Sequence, residues 1–189
     1  AAAQATPPEL VAAMQKGGLV LYLRHAQTNQ DEVDTGRLGD RAGQRNLSPG
    51  GREQARQLGE AFRALRIPVR PILASPVFRA RDTAELAFGA DRIEVTMDLV
   101  ADEYAGGAVQ TMVAATRRLL LAPPAPGTNR LLIGHRTPLE MVTGRRFPDT
   151  ILPEGALAVF SPGGDTPRLL GPLMRIARRI VVPICRIPR

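Results

Sequence analysis

The chain contains two histidines, His25 and His135, and each stands beside an arginine: Arg24-His25 in "LVLYLRHAQTNQ" and His135-Arg136 in "LLIGHRTP". An imidazole can serve as base, nucleophile or hydrogen-bond donor near neutral pH. A guanidinium presents a planar fork of donors that fits the oxygens of a phosphate or a carboxylate. Both pairs terminate apolar runs, Leu19 to Leu23 and Leu131 to Ile133. A single histidine at a strand end is usually satisfied by a backbone carbonyl. Two of them, each beside a cation, make an anion-handling site if the strand ends meet.

The elements between them favour that meeting. Thr6 with Pro7 and Pro8 starts a helix that runs to about Lys16, and Gly17 and Gly18 end it. Five apolar residues in a row, Leu19 to Leu23, suit a central strand covered on both faces. Thr28 to Asn46 is polar, Gly-rich and aperiodic, a long loop of the kind that often carries function. In "LSPGGREQARQLGEAFRAL", Ser48 is a good N-cap and Pro49 a good first residue. Ala55, Leu58, Phe62 and Leu65 follow at helical spacing as one apolar stripe. "PILAS" is a short buried strand, and Ser75 with Pro76 starts a second helix to about Phe88, packing through Ala80, Ala84, Leu86 and Ala87. Arg92 to Thr96 alternates as a strand. Val109 to Leu121 is helical and "APPAPG" is a connector. Arg130 to Ile133 is the next strand, and Pro138 opens a short helix ended near Gly144. Ala156 to Ser161 and roughly Arg168 to Val182 close the sheet.

Strands and helices alternate, which predicts an α/β sandwich with a largely parallel sheet. Ligands in such sheets bind beyond the carboxyl ends of the strands. His25, His135 and the Ser75-Pro76 turn all fall at such ends. Arg79, in the first turns of the helix beginning "SPVFRARDTAE", would face the same edge.

Length and composition bound the function. The 189 residues make one domain of ordinary size, 44% hydrophobic and 23% charged, long enough for a real core. No apolar run approaches the roughly 20 residues of a membrane span, so no stable insertion is expected. The single cysteine, Cys185, excludes an internal disulfide, and no zinc spacing is present. Net charge is +7, and Lys16 is the only lysine among 25 basic residues. A GC-rich genome, which favours arginine codons, is the plainer reading of that bias, beside the fit of arginine forks to phosphate and carboxylate. Nucleic acid is not expected as a partner, because the arginines are scattered and only 4% of residues are aromatic. The Ala-rich start, "AAAQATPPEL", is compatible with the end left by signal-peptide removal, hence a periplasmic or secreted protein, with a cytoplasmic one as the alternative. Residues 174–189 carry five arginines and no acid and read as a basic tail.

Four motifs taken together, "LRHA", "LSPGGREQA", "SPVFRARDTAE" and "LIGHRTPLE", resemble the histidine phosphatase superfamily, which includes the cofactor-dependent phosphoglycerate mutases. The resemblance is ordered and spans about Leu19 to Gly144. It implies a three-layer αβα sandwich with a mostly parallel sheet, a single domain over 1–189, and phosphoryl transfer through a phosphohistidine, with no metal and no cofactor. His25 resembles the nucleophile, which must be neutral at Nε2 and held by a hydrogen bond at Nδ1. Arg24 and Arg79 resemble the arginines that bind the phosphoryl oxygens, and His135 the second histidine that donates to the transferring group. Arg45 and Thr28 correspond to frequent phosphate contacts, although a surface-loop arginine and an ordinary turn residue are their plain alternatives. The leaving oxygen needs a proton, and "LVADEYAGG" offers Glu103, the common family type, with Asp102 as the alternative. Two departures stand out. Ala26 replaces a frequent Gly, and Arg136 follows the second histidine where Gly is frequent, adding a cation or bulk at the pocket mouth. The inserted cap of many relatives is short, which implies an open pocket. The expected function is hydrolysis of a small phosphomonoester; the alternative is an anion-binding protein of the same fold with little or no turnover.

Overall fold

The computed structural model describes residues 5–173. The expected extension of the closing strand to Val182, the basic 174–189 segment and Cys185 lie outside them. Six strands form one sheet: β1 (Val20–Arg24), β2 (Val69–Ala74), β3 (Ile93–Val95), β4 (Asn129–Gly134), β5 (Leu157–Ser161) and β6 (Arg168–Leu173). Their order is β3-β2-β4-β1-β5-β6. The first four run parallel, while β5 is antiparallel to β1 and β6 antiparallel to β5. Helices α1 (Pro7–Lys16), α2 (Pro49–Ala64) and α3 (Phe78–Phe88) cover one face; α4 (Val109–Leu121) and α5 (Arg136–Thr143) cover the other. The result is a three-layer αβα sandwich.

The central strand shows why both layers are needed. All five residues of β1 are buried. Leu21 and Leu23 join the cluster formed with α1, α2 and α3, while Val20 and Tyr22 join the one formed with α4 and α5. Alternate side chains of a strand point to opposite faces, so an uninterrupted apolar run commits the strand to the middle of the sheet. Each leucine buried this way contributes roughly 1.5–3 kcal/mol.

Helix α2 starts as its sequence demands: Ser48 Oγ accepts from the Gly51 amide at 3.0 Å and Pro49 follows. The other helix starts differ from expectation. Helix α3 begins at Phe78, not at Ser75-Pro76. Its first amide is capped from a distance, Phe78 N–H donating to Gln44 Oε1 at 2.9 Å, which releases Ser75 for another task. Helix α5 begins at Arg136, two residues before Pro138, with His135 in the N-cap position.

The 28–46 segment is irregular, as predicted, but tightly fastened. An isolated bridge pairs Thr28 with Leu47 and closes its neck. Thr35 N–H donates to the Gly43 carbonyl at 2.8 Å. Arg41 grips the buried Asp82 at 2.6 and 2.9 Å while lying 3.9 Å over the Phe78 ring.

Candidate active site

Register brings the two histidines together. In the β1–β4 ladder Arg24 lies opposite Gly134, and in the β2–β4 ladder Ala74 lies opposite Ile133. Three strands therefore end side by side, and the residues immediately beyond them are His25, His135 and Ser75. The ladders continue past the strands, with His25 N–H donating to the Gly134 carbonyl at 3.1 Å and Ser75 N–H to the Ile133 carbonyl at 2.9 Å. The imidazole centroids are 5.4 Å apart with their planes 53° from parallel.

The backbone at this edge is pinned from inside the sheet. The Tyr22 hydroxyl donates to the His135 carbonyl at 2.9 Å and accepts from the His135 amide at 3.1 Å. A Cβ on Gly134 would fall 2.5 Å from that hydroxyl, so glycine is required there for packing rather than for flexibility. Behind His25, the Thr83 hydroxyl accepts from the Ala26 amide at 2.9 Å and donates to the Arg79 carbonyl at 2.6 Å. One side chain thus ties the residue after His25 to the helix turn that carries Arg79.

The His25 tautomer follows from its partner. Nδ1 is 2.9 Å from the Ala26 carbonyl oxygen. A carbonyl only accepts, so Nδ1 carries the proton and Nε2 keeps its lone pair. Burial pushes the His25 pKa well below the usual imidazole value, and Arg79, Arg24 and Arg45 push it further. His135 is lowered well below by burial too, with Arg79, His25, Arg24 and Arg45 adding to it. Both rings are neutral at pH 7 and lie within the field of the same three guanidiniums. An open pocket was expected, yet only 3% of His25 and 4% of His135 is exposed.

The guanidiniums are held by carboxylates that composition and spacing did not single out. Arg24 Nη1 donates to Asp149 Oδ1 at 2.5 Å and to the Leu152 carbonyl at 2.8 Å. Its Nη2 lies 3.9 Å from Glu154 Oε1, and Arg45 Nη2 lies 3.9 Å from the same oxygen. Arg79 Nη1 straddles both oxygens of Asp34 at 2.9 and 3.1 Å, and its Nη2 donates to Glu103 Oε1 at 2.7 Å. Thr28 sits against Glu154, which accepts from its amide at 3.1 Å and from its hydroxyl at 2.9 Å. Arg136 lies at the rim and shares Asp149 with Arg24, its Nη1 2.9 Å from Oδ1.

The two acid candidates differ in surroundings. Glu103 is engaged with Arg79. Asp102, next to it, is half-buried, and that burial, followed by the charge and hydrogen bonding of Glu103, raises its carboxyl pKa. Tyr104, on the same turn, donates to Asp34 at 2.6 Å.

Asp34, Asp149, Glu154 and Ser75 are functional neighbours that sequence reasoning passed over. The first three lie in aperiodic loops, where no spacing marks a partner 45 or 125 positions away. Ser75 carries a signal, its place at a strand's carboxyl end, but "SP" also reads as a helix start, which hides its pairing with His135.

Comparison with known proteins agrees with this geometry. The profile of the histidine phosphatase superfamily (branch 1) matches residues 20–143. Among solved structures, the protein histidine phosphatase SixA complexed with tungstate is 17% identical with a TM-score of 0.55, covering 82% of this chain and 96% of its own. A SixA described as a putative phosphohistidine phosphatase from Agrobacterium tumefaciens is 21% identical with a TM-score of 0.52, covering 82% and 97%. A mycobacterial glucosyl-3-phosphoglycerate phosphatase with VO3 is 17% identical with a TM-score of 0.55, covering 81% and 97%. No curated protein sequence matches. With two in-register imidazoles at one sheet edge and a profile match across most of the fold, the chain belongs to the histidine phosphatase superfamily, and membership together with the phosphatases it resembles supports a hydrolase of phosphoric monoesters.

Proposed function

We propose that the chain hydrolyses a phosphomonoester without a metal, through a phosphohistidine on His25. One observation carries the reading. Among the described residues, the buried side-chain nitrogens without a hydrogen-bond partner are Nε of Arg24, Nε of Arg45, Nε of Arg79 and Nδ1 of His135. Each belongs to the set anticipated as the phosphate cradle. Buried donors are nearly always paired in native proteins, and donors held ready for developing negative charge are the usual source of catalytic stabilisation. Four of them beside a neutral imidazole suit the three equatorial oxygens of a transferring phosphoryl group.

In this scheme the Nε2 lone pair of His25 attacks phosphorus in line, and the bond from phosphorus to the leaving oxygen breaks. The leaving oxygen takes a proton from the Asp102–Glu103 pair, with Asp102 carrying it, since its raised pKa keeps a proton available nearer neutrality. Water then attacks the phosphohistidine, gives a proton back to the pair and releases phosphate, and the P–N electrons return to Nε2. Arg24, Arg45, Arg79 and His135 balance the phosphoryl charge throughout. Thr28 acts through Glu154, and Arg136 stands at the mouth. The oxyanions named with two of the structural neighbours, tungstate and VO3, have the charge and oxygen arrangement this cradle would accept.

The test is phosphate release from p-nitrophenyl phosphate with no added metal, beside His25→Ala, together with an alkaline quench to trap acid-labile, alkali-stable protein phosphate. Turnover and trapped phosphate in the parent, with neither in the variant, is the expected result. Orthovanadate binding without any turnover would instead make the chain an anion-binding member of its family.

A further inference from the structure

We propose that Asp34 is the positioning residue of this site, the single carboxylate at which the 28–46 loop, helix α3 and the acid-bearing turn are locked into one geometry. The inference rests on the phosphatase reading for its kinetic consequence but not for its structural one. Asp34 lies on the irregular loop that also carries Arg45, and it is 45 and 70 positions from Arg79 and Tyr104. Its Oδ1 accepts from Arg79 Nη1 at 2.9 Å, from the Tyr104 hydroxyl at 2.6 Å and from the Arg45 amide at 3.0 Å, and its Oδ2 accepts from Arg79 Nη1 at 3.1 Å. Three segments therefore converge on one side chain that is 18% exposed.

The orientation of Arg79 is what this convergence fixes. With Nη1 on Asp34 and Nη2 on Glu103, both terminal nitrogens are held and the guanidinium cannot rotate about its stem. Its buried Nε is left as the edge without a partner. Asp34 also aligns the neighbouring contact, because the amide it accepts from belongs to Arg45, whose own Nε is buried without a partner. Through Tyr104 it fixes the turn that carries Asp102 and Glu103. A misplacement of about 1 Å in such a group costs roughly a hundredfold in rate.

A mere loop staple would be redundant here. The same loop is already fastened to α3 by Arg41 on Asp82 and by Gln44 on the Phe78 amide. Among the described residues, the hydrogen bonds from this loop to Arg79 and to the acid turn are those of Asp34. Charge adds a second consequence. The charge acting on Asp102 from outside its own turn is Arg79 of α3, and Asp34 of the loop reaches that turn through Arg79 and Tyr104. Arg79 already acts to lower the Asp102 carboxyl, and removing the Asp34 charge frees more of its field for Asp102, which favours the ionised form of that carboxyl.

The test compares Asp34→Asn with Tyr104→Phe and, as a loop-anchor control, Arg41→Gln. In a 15N–1H spectrum of the whole protein, the Arg79 Nε–H resonance is assigned by its loss in Arg79→Lys. It shifts or broadens in D34N, does so less in Y104F, and stays in place in R41Q. On p-nitrophenyl phosphate, D34N lowers kcat about 10- to 100-fold and moves the alkaline limb of kcat to lower pH, while R41Q leaves both unchanged. An unmoved Arg79 resonance in folded D34N, or a D34N alkaline limb that coincides with the parent's, overturns the proposal. A parent without turnover removes the phosphatase reading, and the resonance then decides the positioning role by itself.

Discussion

The hydroxyl oxygen of Ser75 stands 2.8 Å from Nε2 of His135 and 3.2 Å from the Val77 amide that donates to it. A hydroxyl has one proton to give, and the partner able to take it here is the imidazole. That fixes the neutral His135 tautomer, with Nε2 as acceptor and the proton on Nδ1, the buried atom without a partner. Ser75→Ala removes the lock and leaves Nε2 buried and unpaired, a cost of about 1–3 kcal/mol. We expect kcat to fall by about tenfold or more as the tautomer mixture reappears, with the fold retained. Imidazole 15N shifts of His135, which separate the two tautomers, check the cause. A single Nδ1–H tautomer persisting in S75A would show that Ser75 does not set it.

Protonation couples the site to stability. His25 and His135 both have folded-state pKa values well below 6.5, mainly through burial. An unfolded chain binds protons at both rings as pH drops below about 6.5, whereas the folded chain does not until its own lower values are reached. Stability is therefore unaffected by these rings above neutrality and is lost as pH falls from about 6.5 toward the folded-state values. The two together contribute a slope of up to about 2.7 kcal/mol per pH unit in that window. Urea denaturation between pH 7 and pH 5 measures it. His135→Ala should flatten the curve by about half, and an equal slope in variant and parent would place the acid sensitivity elsewhere.

The legible features of the chain are periodic or terminal. The apolar run into His25 marked a central strand because it left no polar face. The stripe of Ala55, Leu58 and Phe62 on α2 faces the interior, each of the three buried. The meeting of His25 with His135 followed from two strands ending alike, since parallel neighbours in register deliver their next residues side by side. Asp34, Asp149 and Glu154 left no such trace. Their partners lie across loops, and an ion pair between distant segments imposes no local period. The acid choice was open for a related reason: Asp102 and Glu103 are adjacent on a turn, and only their packing against Arg79 separates them. Proline after serine is a true helix-start signal at Ser75, overridden here by a long-range cap from Gln44 that starts the helix at Phe78.

Helix α2 meets α3 closely enough to demand glycine. A Cβ on Gly59 would fall 1.9 Å from the Ala87 carbonyl oxygen and 2.6 Å from its carbon, which are backbone atoms that cannot swing aside. A Cβ on Gly50, in the same helix, would meet its nearest side-chain atom at 3.5 Å, an ordinary contact. Alanine is about 1 kcal/mol better than glycine in a helix when space allows. We expect Gly50→Ala to be neutral or slightly stabilising and Gly59→Ala to cost about 1–3 kcal/mol or more by forcing the helices apart. Thermal melts of the two variants decide it, and a G59A protein as stable as G50A would refute the close approach.

Asp149 competes with any oxyanion for Arg24. Its side chain is 70% exposed, against 8% for that of Arg24, and the two meet at 2.5 Å. Arg136 holds the same carboxylate oxygen at 2.9 Å from the rim, and the Arg24 hydrogen bond keeps the Asp149 pKa low. Asp149 is therefore charged throughout the working range and trims the positive potential where phosphate would bind. Asp149→Asn keeps the shape and removes the charge, while the Leu152 carbonyl continues to orient Arg24. An exposed partner of this kind is worth at most about 1 kcal/mol, which corresponds to roughly fivefold in affinity. Orthovanadate and phosphate should inhibit D149N at about three- to fivefold lower concentration. Arg136→Gln, which removes a rim cation instead, should shift inhibition the opposite way. Weaker oxyanion binding in D149N would mean that Asp149 is needed to hold Arg24 in place, and that its charge is a support rather than a competitor.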